Sequence, residues 1–228
     1  MPTNAPFPRQ SKAEESFKMK KRLRFYWQKL PQIGEVLSLN KILYTLILSD
    51  FILISAYGLV APIFAVFLTD RIIGATLITV GISEAVYLAT KSLLQVPLGI
   101  LIDRTEGQKI DFWFLFLGNL IMALAIFSYL PASLPWHIYL ISLFYGIGAA
   151  MAFPAWTGIF TRNIVANRES FAWSLSTTFV EIGEAGAAVI GGVVAELLGF
   201  NALFLIVGIV SIVGSFSLFF VYKELKKG

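Results

Sequence analysis

Five ionisable side chains interrupt long apolar stretches of this sequence. A charge in hydrocarbon costs about 2.5–3.5 kcal/mol on insertion scales, so such groups are usually functional or paired. Four of the five are acids, and some of these must be protonated, reach water or pair with another chain. Groups of this kind can bind an ion, pass a proton or hold the polar part of a solute. They are Asp50, Glu84, Lys91, Glu181 and Glu184.

The spacing of these groups places polar side chains on single helix faces. One stripe follows a 4-3-4 spacing and consists of Glu84, Leu88, Lys91 and Gln95. A similar stripe consists of Ser174, Thr178, Glu181 and either Glu184 or Ala185. We expect both stripes to face a polar cavity or a protein interface rather than lipid. A structural interpretation stays open, in which Lys91 only neutralises Asp50 or a glutamate inside the bundle.

The composition places most of the chain in a lipid environment. Of its 228 residues 57% are hydrophobic and 14% are charged, whereas a soluble domain carries about 25% charged residues. A membrane-spanning helix needs about 20 mainly apolar residues. We therefore predict an all-α membrane protein with six transmembrane helices. The predicted spans are residues 42–68, 76–102, 112–130, 137–160, 172–198 and 202–222.

The placement of lysine and arginine predicts the orientation, because cytoplasmic loops carry an excess of both. With the N-terminus in the cytoplasm, 16 of the 18 basic residues lie on the cytoplasmic side. Only Arg71 then lies outside, and Lys91 lies within the second span. Six spans return the chain to the side where it started. We predict a multi-pass protein of the cell membrane, plasma or inner, with both termini cytoplasmic.

Outside the spans, the sequence divides into two tails. Residues 1–40 are predicted to form a cytoplasmic tail, and residues 223–228 a short basic one. Within the first tail, residues 18–30 mix six basic residues with aromatic and aliphatic ones. This pattern favours a helix lying on the anionic cytoplasmic leaflet, so membrane lipids are the expected partner. Nucleic acid is not, because the segment adjoins the membrane domain of residues 41–222.

The two halves of the membrane domain resemble each other. Pro62 and Pro154 each lie in the last third of a span, 92 residues apart. Residues 99–103 and 192–196 both read Gly-x-x-x-acid, 93 residues apart. Spans one to three start inside and spans four to six start outside, so the repeat is inverted, in a 3+3 arrangement. Inverted repeats are typical of transporters, whose substrate sites lie between the repeats.

Several classes of chemistry lack their residues in this sequence. There is no cysteine, and His137 is the only histidine, so neither thiolate nor multi-histidine metal sites are expected. No Gly-x-Ser-x-Gly or His-Glu-x-x-His motif occurs, which argues against an intramembrane enzyme. Without a nucleotide motif, transport would be driven by a gradient. We predict no enzyme activity, no cofactor and no metal.

Residues 99–109, GILIDRTEGQK, resemble the signature turn of the major facilitator superfamily, Gly-x-Leu-Ala-Asp-Arg-x-Gly-Arg-Lys. This turn joins spans two and three in the family. Residues 145–156 and 187–200 are similar to its glycine-rich fourth and fifth spans. The matching residues are Gly99, Leu101, Asp103 and Arg104 in place and, after a one-residue insertion, Gly107 and Lys109.

The resemblance implies a solute transporter that alternates between outward-facing and inward-facing states. The turn then acts as a conformational latch that forms in one state and breaks in the other. Gly99 would let a neighbouring helix approach closely, and Asp103 would pair with a basic residue or cap a helix. The latch residues implied in this way are Gly99, Asp103, Arg104, Gly107 and Lys109.

The resemblance also implies which spans line the solute path. Spans one and four line the central cavity in the family, while spans two and five line the seam with a second six-helix half. Ser142 replaces an arginine of the fourth span, and the proline of the exporter signature is absent, so ion coupling and transport direction stay open. The implied cavity residues are Asp50, Tyr57, Tyr145 and Trp156, with Glu84, Lys91, Gln95, Glu181 and Glu184 as further pathway candidates.

The expected function is transport of a small solute by a half-sized secondary transporter. A second six-helix unit, either a homodimer partner or a separate chain, would supply the opposing wall of the path. The alternative is a membrane scaffold or binding protein derived from such a half, which does not transport. The residues do not identify the solute.

Overall fold

The structure, a computed structural model, describes three stretches of the chain, which are residues 19–21, 40–105 and 107–226. The chain divides into two units, Met1–Leu39 and Asn40–Gly228. In the first unit only residues 19–21 are described, and they are helical. The predicted tail of residues 1–40 and its interfacial segment 18–30 therefore lie almost wholly outside the described residues.

Every regular element in the described part of the second unit is a helix, which confirms the all-α prediction. Asn40 caps the first helix by accepting a hydrogen bond from the backbone N–H of Ile42 at 3.2 Å. Pro62 lies in a 3-10 turn that interrupts this first stretch. The elements are α1 (Lys41–Gly58), the 3-10 turn (Ala61–Ile63), α2 (Phe64–Arg71), α3 (Leu77–Asp103), α4 (Gln108–Phe127), α5 (Pro135–Arg162) and α6 (Glu169–Leu225).

Five helical stretches among the described residues are long and apolar enough to cross a membrane: Lys41–Arg71, α3, α4, α5 and α6. The predicted fifth and sixth spans both fall within α6, which has 57 residues. Gly199 interrupts α6, since its φ of 82° and ψ of 168° are not helical. A side chain disfavours this left-handed region, which glycine adopts readily. We call the two segments α6a, residues 169–198, and α6b, residues 200–225.

Four helices form a row. α3 packs on α5, where a Cβ added at Gly146 would lie 2.9 Å from the Cβ of Thr90. α5 reaches α1 through the rings of Tyr145 and Tyr57, whose centroids are 5.7 Å apart. α1 packs on α6a so closely that a Cβ at Gly191 would come within 1.9 Å of a backbone oxygen. The order in the four-helix row is therefore α3, α5, α1 and α6a.

The two ends of the bundle can be told apart by contacts between helix termini. Asn163, at the end of α5, hydrogen-bonds to Asn40 at 3.2 Å and to Gln108, the first residue of α4, at 2.8 Å. Phe112 of α4 contacts Tyr222 near the end of α6, with ring centroids 4.7 Å apart. The start of α1 and the end of α6 thus lie at the same end of the bundle, which we call the terminal end.

At the opposite end, the connection after α2 meets the connection before α5. The backbone N–H of Ile73 donates to the carbonyl of Ser133 at 2.9 Å. An aromatic cluster packs beneath it, in which Phe67 lies 4.6 Å from Phe204 between ring centroids. This end therefore holds a large part of the apolar core.

Candidate functional site

A cavity of about 320 Å³ lies among α1, the 3-10 turn, α2, α3, α4 and α5. Four tyrosines and one carboxylate contribute to its wall, and we call it the tyrosine cavity. Because its residues come from the start of α3 and α5 and the end of α1 and α4, it lies in the half of the bundle away from the terminal end. It is lined by Tyr57, Val60, Ala61, Phe64, Ser83, Glu84, Tyr87, Ile126, Tyr129, Ser142 and Tyr145.

The rings of three tyrosines meet at Tyr145. Its ring centroid lies 5.7 Å from that of Tyr57, at an interplanar angle of 82°. The centroid of Tyr87 lies 5.5 Å away, at an angle of 61°. The buried hydroxyl of Tyr57 lies near that of Ser211, but the two do not meet the geometry of a hydrogen bond. The cavity wall therefore offers mainly aromatic surface, while the Tyr57 hydroxyl oxygen itself is buried.

Glu84 is the only carboxylate in this wall. Its side chain is exposed, and it forms neither an ion pair nor a hydrogen bond with any other described side chain. No lysine, arginine or histidine from the described part of the chain lines the cavity. A carboxylate in this position can hold a cation or accept a proton.

The structure brings together only part of the predicted cavity set. Tyr57, Glu84 and Tyr145 line the tyrosine cavity, whereas Asp50 and Trp156 do not. Asp50 is half-buried on α1 instead, where the charge of Glu184 opposes its own. Glu184 packs beside α1, since a Cβ added at Gly58 would lie 3.2 Å from its Cα, and Glu181 is exposed one turn earlier on α6a.

Trp156 belongs to an aromatic cluster between α5 and α6a. Its ring stacks on Phe160 with centroids 4.7 Å apart, and Trp173 lies 5.8 Å from it. The indole N–H is buried without an acceptor among the described residues. The cluster packs two helices together, and a solute path would not pass through it as the residues stand.

Lys91 does not pair with a carboxylate. Its ammonium nitrogen lies 4.8 Å from the ring centroid of Phe153 and 5.9 Å from that of Tyr87, both cation–π distances. Neither ion pair found in the described residues includes it. The interpretation in which Lys91 neutralises Asp50 or a glutamate of its own bundle is therefore wrong for the described residues.

A second cavity, of about 350 Å³, lies between α3 and α5 toward the terminal end. It brings together Gln95, Gly99 and Asp103, three of the predicted residues. A Cβ at Gly99 would lie 3.7 Å from the side chain of Pro154, so α5 does pass close to this glycine. We call this space the turn cavity, and its other lining residues are Val96, Ile102, Phe153, Pro154, Thr157, Gly158 and Thr161.

Beside the turn cavity, one arginine links two aspartates. Arg162, in the last turn of α5, pairs with Asp103 at 3.3 Å and forms a short ion pair with Asp111 in the first turn of α4. The Asp111 side chain is fully buried and its Oδ1 has no hydrogen-bond partner, whereas the Asp103 side chain is 77% exposed. Arg162 and Asp111 also suit the dipoles of their helix termini, whereas Asp103, the last residue of α3, does not. We call these three residues the Arg162 cluster.

The Arg162 cluster contains only one of the predicted latch residues. Asp103 pairs with Arg162 of the same chain, whereas Arg104 and Lys109 are exposed. Gly107 is the N-cap residue just before α4 and has a φ of 88°, a value that favours glycine. Glu106, the inserted residue, lies outside the described part of the chain.

Comparison with known proteins bears on the whole membrane domain. The family model described as Major Facilitator Superfamily matches residues 46–228. No curated protein matches the chain. The family match covers every membrane-length helix of the structure apart from the first residues of α1.

Proposed function

Because the chain belongs to the Major Facilitator Superfamily, a family of membrane transporters, we propose that it moves a small solute by alternating access. In this proposal it is a half-sized secondary transporter of the cell membrane, working with a second six-helix unit. One observation carries the proposal at the level of the site. Two cavities lie along the same helix pair, α3 and α5, on either side of their close contact at Gly146.

The six-span arrangement is part of this proposal. The backbone break at Gly199 supports a sixth span, because α6a and α6b contain about 30 and about 26 residues, and a span needs about 20. Equivalent contacts support the inverted repeat. Gly99 of α3 lies against Pro154 of α5, and Gly191, one residue before the Gly192 of the repeat, lies against Leu59 near Pro62 of the 3-10 turn.

The terminal end is the cytoplasmic end in the proposal. The described basic residues concentrate there, at the start of α1, around the α3–α4 turn and after α5 and α6, while Arg71 lies at the opposite end. This distribution follows the positive-inside rule. The basic residues at the terminal end are Lys41, Arg104, Lys109, Arg162, Arg168, Lys223 and Lys226.

We assign the solute path to the tyrosine cavity on the outer half and the turn cavity on the inner half. In the state described here α3 and α5 touch at Gly146, between the two. Motion of α3 relative to α5 would widen one cavity as it narrows the other. The ion pair between Asp103 and Arg162 joins the inner ends of these helices at 3.3 Å, so it would favour the state in which they are close.

A second six-helix unit would cover the exposed edge helix α3. In the most apolar 18-residue window of α3 only 6% of the residues are buried, against 56% in α4. The exposed face of α3 mixes apolar residues with Glu84 and Ser92. Because polar groups facing lipid are costly, this face is better suited to a protein partner or a water-filled path.

Cysteine accessibility tests the proposal, because the chain contains no cysteine of its own. Ala61→Cys probes the tyrosine cavity and Thr157→Cys the turn cavity. A membrane-impermeant maleimide is added to vesicles of either orientation, with Ser170→Cys, an exposed site, as control. We expect Ala61→Cys to react only from outside and Thr157→Cys only from inside.

The decisive comparison is between the parent chain and a variant that lacks the ion pair between Asp103 and Arg162. In an Asp103→Asn background, labelling at Thr157→Cys should rise and labelling at Ala61→Cys should fall, because the two cavities exchange accessibility. The control at Ser170→Cys should not change. Equal labelling of both cavity sites in the two backgrounds would favour a scaffold that does not alternate.

A further inference from the structure

We propose that the tyrosine cavity selects organic cations, and in particular an ammonium group carried on a small apolar or aromatic body. The role of such a cation as the transported solute rests on the proposed function, but its binding does not. The proposal starts from charge. Glu84 is the only carboxylate of the wall, it has no partner among the described side chains, and no basic side chain there opposes a cation.

The aromatic wall supplies the second half of the recognition. Tyr57 and Tyr87 stand at 82° and 61° to Tyr145, so the three rings form a corner and not a flat stack. An ammonium group in such a corner meets more than one ring and is attracted by their negative faces. No lysine, arginine or histidine of the described residues lines the same wall, so an anion would find no cationic partner among its lining residues.

The chain itself contains a cation–π contact one helical turn after Tyr87 of the cavity wall. The Lys91 ammonium rests between Phe153 and Tyr87, at 4.8 and 5.9 Å from their ring centroids, without a carboxylate. A solute cation in the tyrosine cavity would meet Tyr87 from the cavity side and would have Glu84 in addition. A volume of about 320 Å³ suits a body of roughly one aromatic ring with its substituents, since ligand pockets commonly span about 300–1,000 Å³.

The test measures binding to the purified full chain in detergent by equilibrium dialysis. The probes are benzyltrimethylammonium and phenylmethanesulfonate, which share a benzyl group and similar size but carry opposite charges. We expect the cation to bind about tenfold or more tightly than the anion, since a desolvated cation–π contact alone contributes about that factor. Equal binding, or preference for the anion, would overturn the proposal.

Three substitutions separate charge from ring. Glu84→Gln should weaken cation binding about tenfold and leave the anion unchanged, while Glu196→Gln, at an exposed acid outside the cavity, should change neither. Tyr145→Phe keeps the ring and should keep the affinity, whereas Tyr145→Leu should lose about tenfold. Unchanged cation affinity in Glu84→Gln, with the same melting temperature as the parent, sinks the assignment.

Failure of this proposal can be told apart from failure of the proposed function. If the chain alternates in the cysteine assay but binds both probes alike, the transport proposal stands and the proposal of cation selectivity is rejected. If the chain selects the cation but does not alternate, the proposal of a cation site stands and the transport proposal is rejected.

A different observation, the matched depth of two opposite charges, carries a second proposal. We infer that two copies of the chain associate through α3 and α6a, so that Lys91 of each copy pairs with Glu184 of the other. In the four-helix row α3 and α6a are the two edge helices. A two-fold axis along the bundle places the α3 edge of one copy against the α6a edge of its partner.

The two charges lie at the same depth. Lys91 is 14 residues from Leu77, the first residue of α3, and Glu184 is 14 residues from residue 198, the last of α6a. Leu77 and residue 198 both lie at the end of the bundle opposite the terminal end. At about 1.5 Å per residue, each charge therefore lies about 21 Å from that opposite end. The two residues are 93 apart, the offset of the Gly-x-x-x-acid repeat.

Both groups lack a counter-charge among the described residues of one copy. The Lys91 ammonium lies over two aromatic rings, and Glu184 packs beside α1, near the like charge of Asp50. Neither belongs to an ion pair in the described part of the chain. Pairing across the seam would give each glutamate a cation and offset the cost of burying both charges.

Heterotypic crosslinking tests the seam in the cysteine-free chain. One tagged copy carries Lys91→Cys and a differently tagged copy carries Glu184→Cys, and mild oxidation in membranes should link the two tags. The control pair, Lys91→Cys with Glu196→Cys, differs by about 18 Å of helix and should not link. No link, an equal link in the control, or capture of a different six-helix chain instead would each overturn the proposal.

Charge reversal gives an independent measurement. Lys91→Glu should shift the purified chain from dimer toward monomer by size-exclusion with light scattering, and adding Glu184→Lys should restore the dimer. A dimer population that ignores both changes would contradict the pairing.

Discussion

Replacing Arg162 by glutamine removes the only ionic partner that Asp111 has among the described residues. The Asp111 side chain is fully buried, and its Oδ1 accepts no hydrogen bond. The other aspartate of the Arg162 cluster, Asp103, is 77% exposed and can be hydrated without the arginine. The two ion pairs of one guanidinium should therefore differ greatly in what their loss costs.

The magnitudes follow from burial. Removing one partner of a buried ion pair typically costs about 3–5 kcal/mol, because the remaining charge is left uncompensated. An exposed pair contributes about 0–1 kcal/mol. We therefore expect Arg162→Gln to lower the free energy of unfolding by about 3 kcal/mol, the lower end of this range, because the helix dipole at the first turn of α4 stabilises the charge left on Asp111. Asp103→Asn should cost less than about 1 kcal/mol.

The assay is reversible unfolding in mixed micelles, followed by tryptophan fluorescence. Asp111→Asn is the decisive companion, because it removes the buried charge and leaves a half-exposed arginine that water can reach. The double variant Arg162→Gln/Asp111→Asn should regain most of the stability lost in Arg162→Gln. If Arg162→Gln unfolds like the parent, or the double variant is no more stable than Arg162→Gln, the burial argument is refuted.

Three further outcomes follow from the backbone and the charges. Gly191→Ala should destabilise the bundle by about 1–3 kcal/mol, because its Cβ would meet the carbonyl of Leu59, while Gly192→Ala, with open space around it, should melt like the parent. Gly199→Ala should cost about 1–2 kcal/mol, since the residue would be held in the left-handed region, and far-ultraviolet circular dichroism at rising temperature would show the loss. A protease site added after Gly228 should be cut only from the cytoplasmic side of sealed vesicles, and cleavage from outside would reverse the proposed orientation.

Much of the fold could be predicted, because a bilayer demands long apolar helices and little else. The predicted spans of residues 76–102 and 137–160 differ from α3 and α5 by only a few residues at each end. The predicted gap between the spans of residues 172–198 and 202–222 contains Gly199, whose backbone is the only non-helical point inside α6. Which helices touch was not predictable, because the close contacts depend on single glycines such as Gly146 that one sequence does not distinguish from other glycines.

Residues of the tyrosine cavity were predictable only where several of them lie on one face of one helix. Glu84 stood out as a charge in an apolar span, and Tyr87 lies three residues on, so the same spacing rule could have found it. Tyr129 gave no such signal, because it reaches the cavity from the end of a different helix. The Arg162 cluster likewise depends on three helix termini meeting, which follows from tertiary packing and not from spacing along the chain.

The contact at Gly146 links these observations to function. Away from the terminal end it is followed by Glu84, Tyr87 and the other tyrosine cavity residues, and toward the terminal end by the turn cavity. An added Cβ there would lie 2.9 Å from both the side chain of Thr90 and the carbonyl of Tyr87, so only a glycine lets α3 and α5 touch at this depth. The contact therefore separates a carboxylate-lined space from the space beside the Asp103–Arg162 ion pair. In a transporter that alternates, a contact such as the one at Gly146, which separates two cavities along one helix pair, would have to open and close.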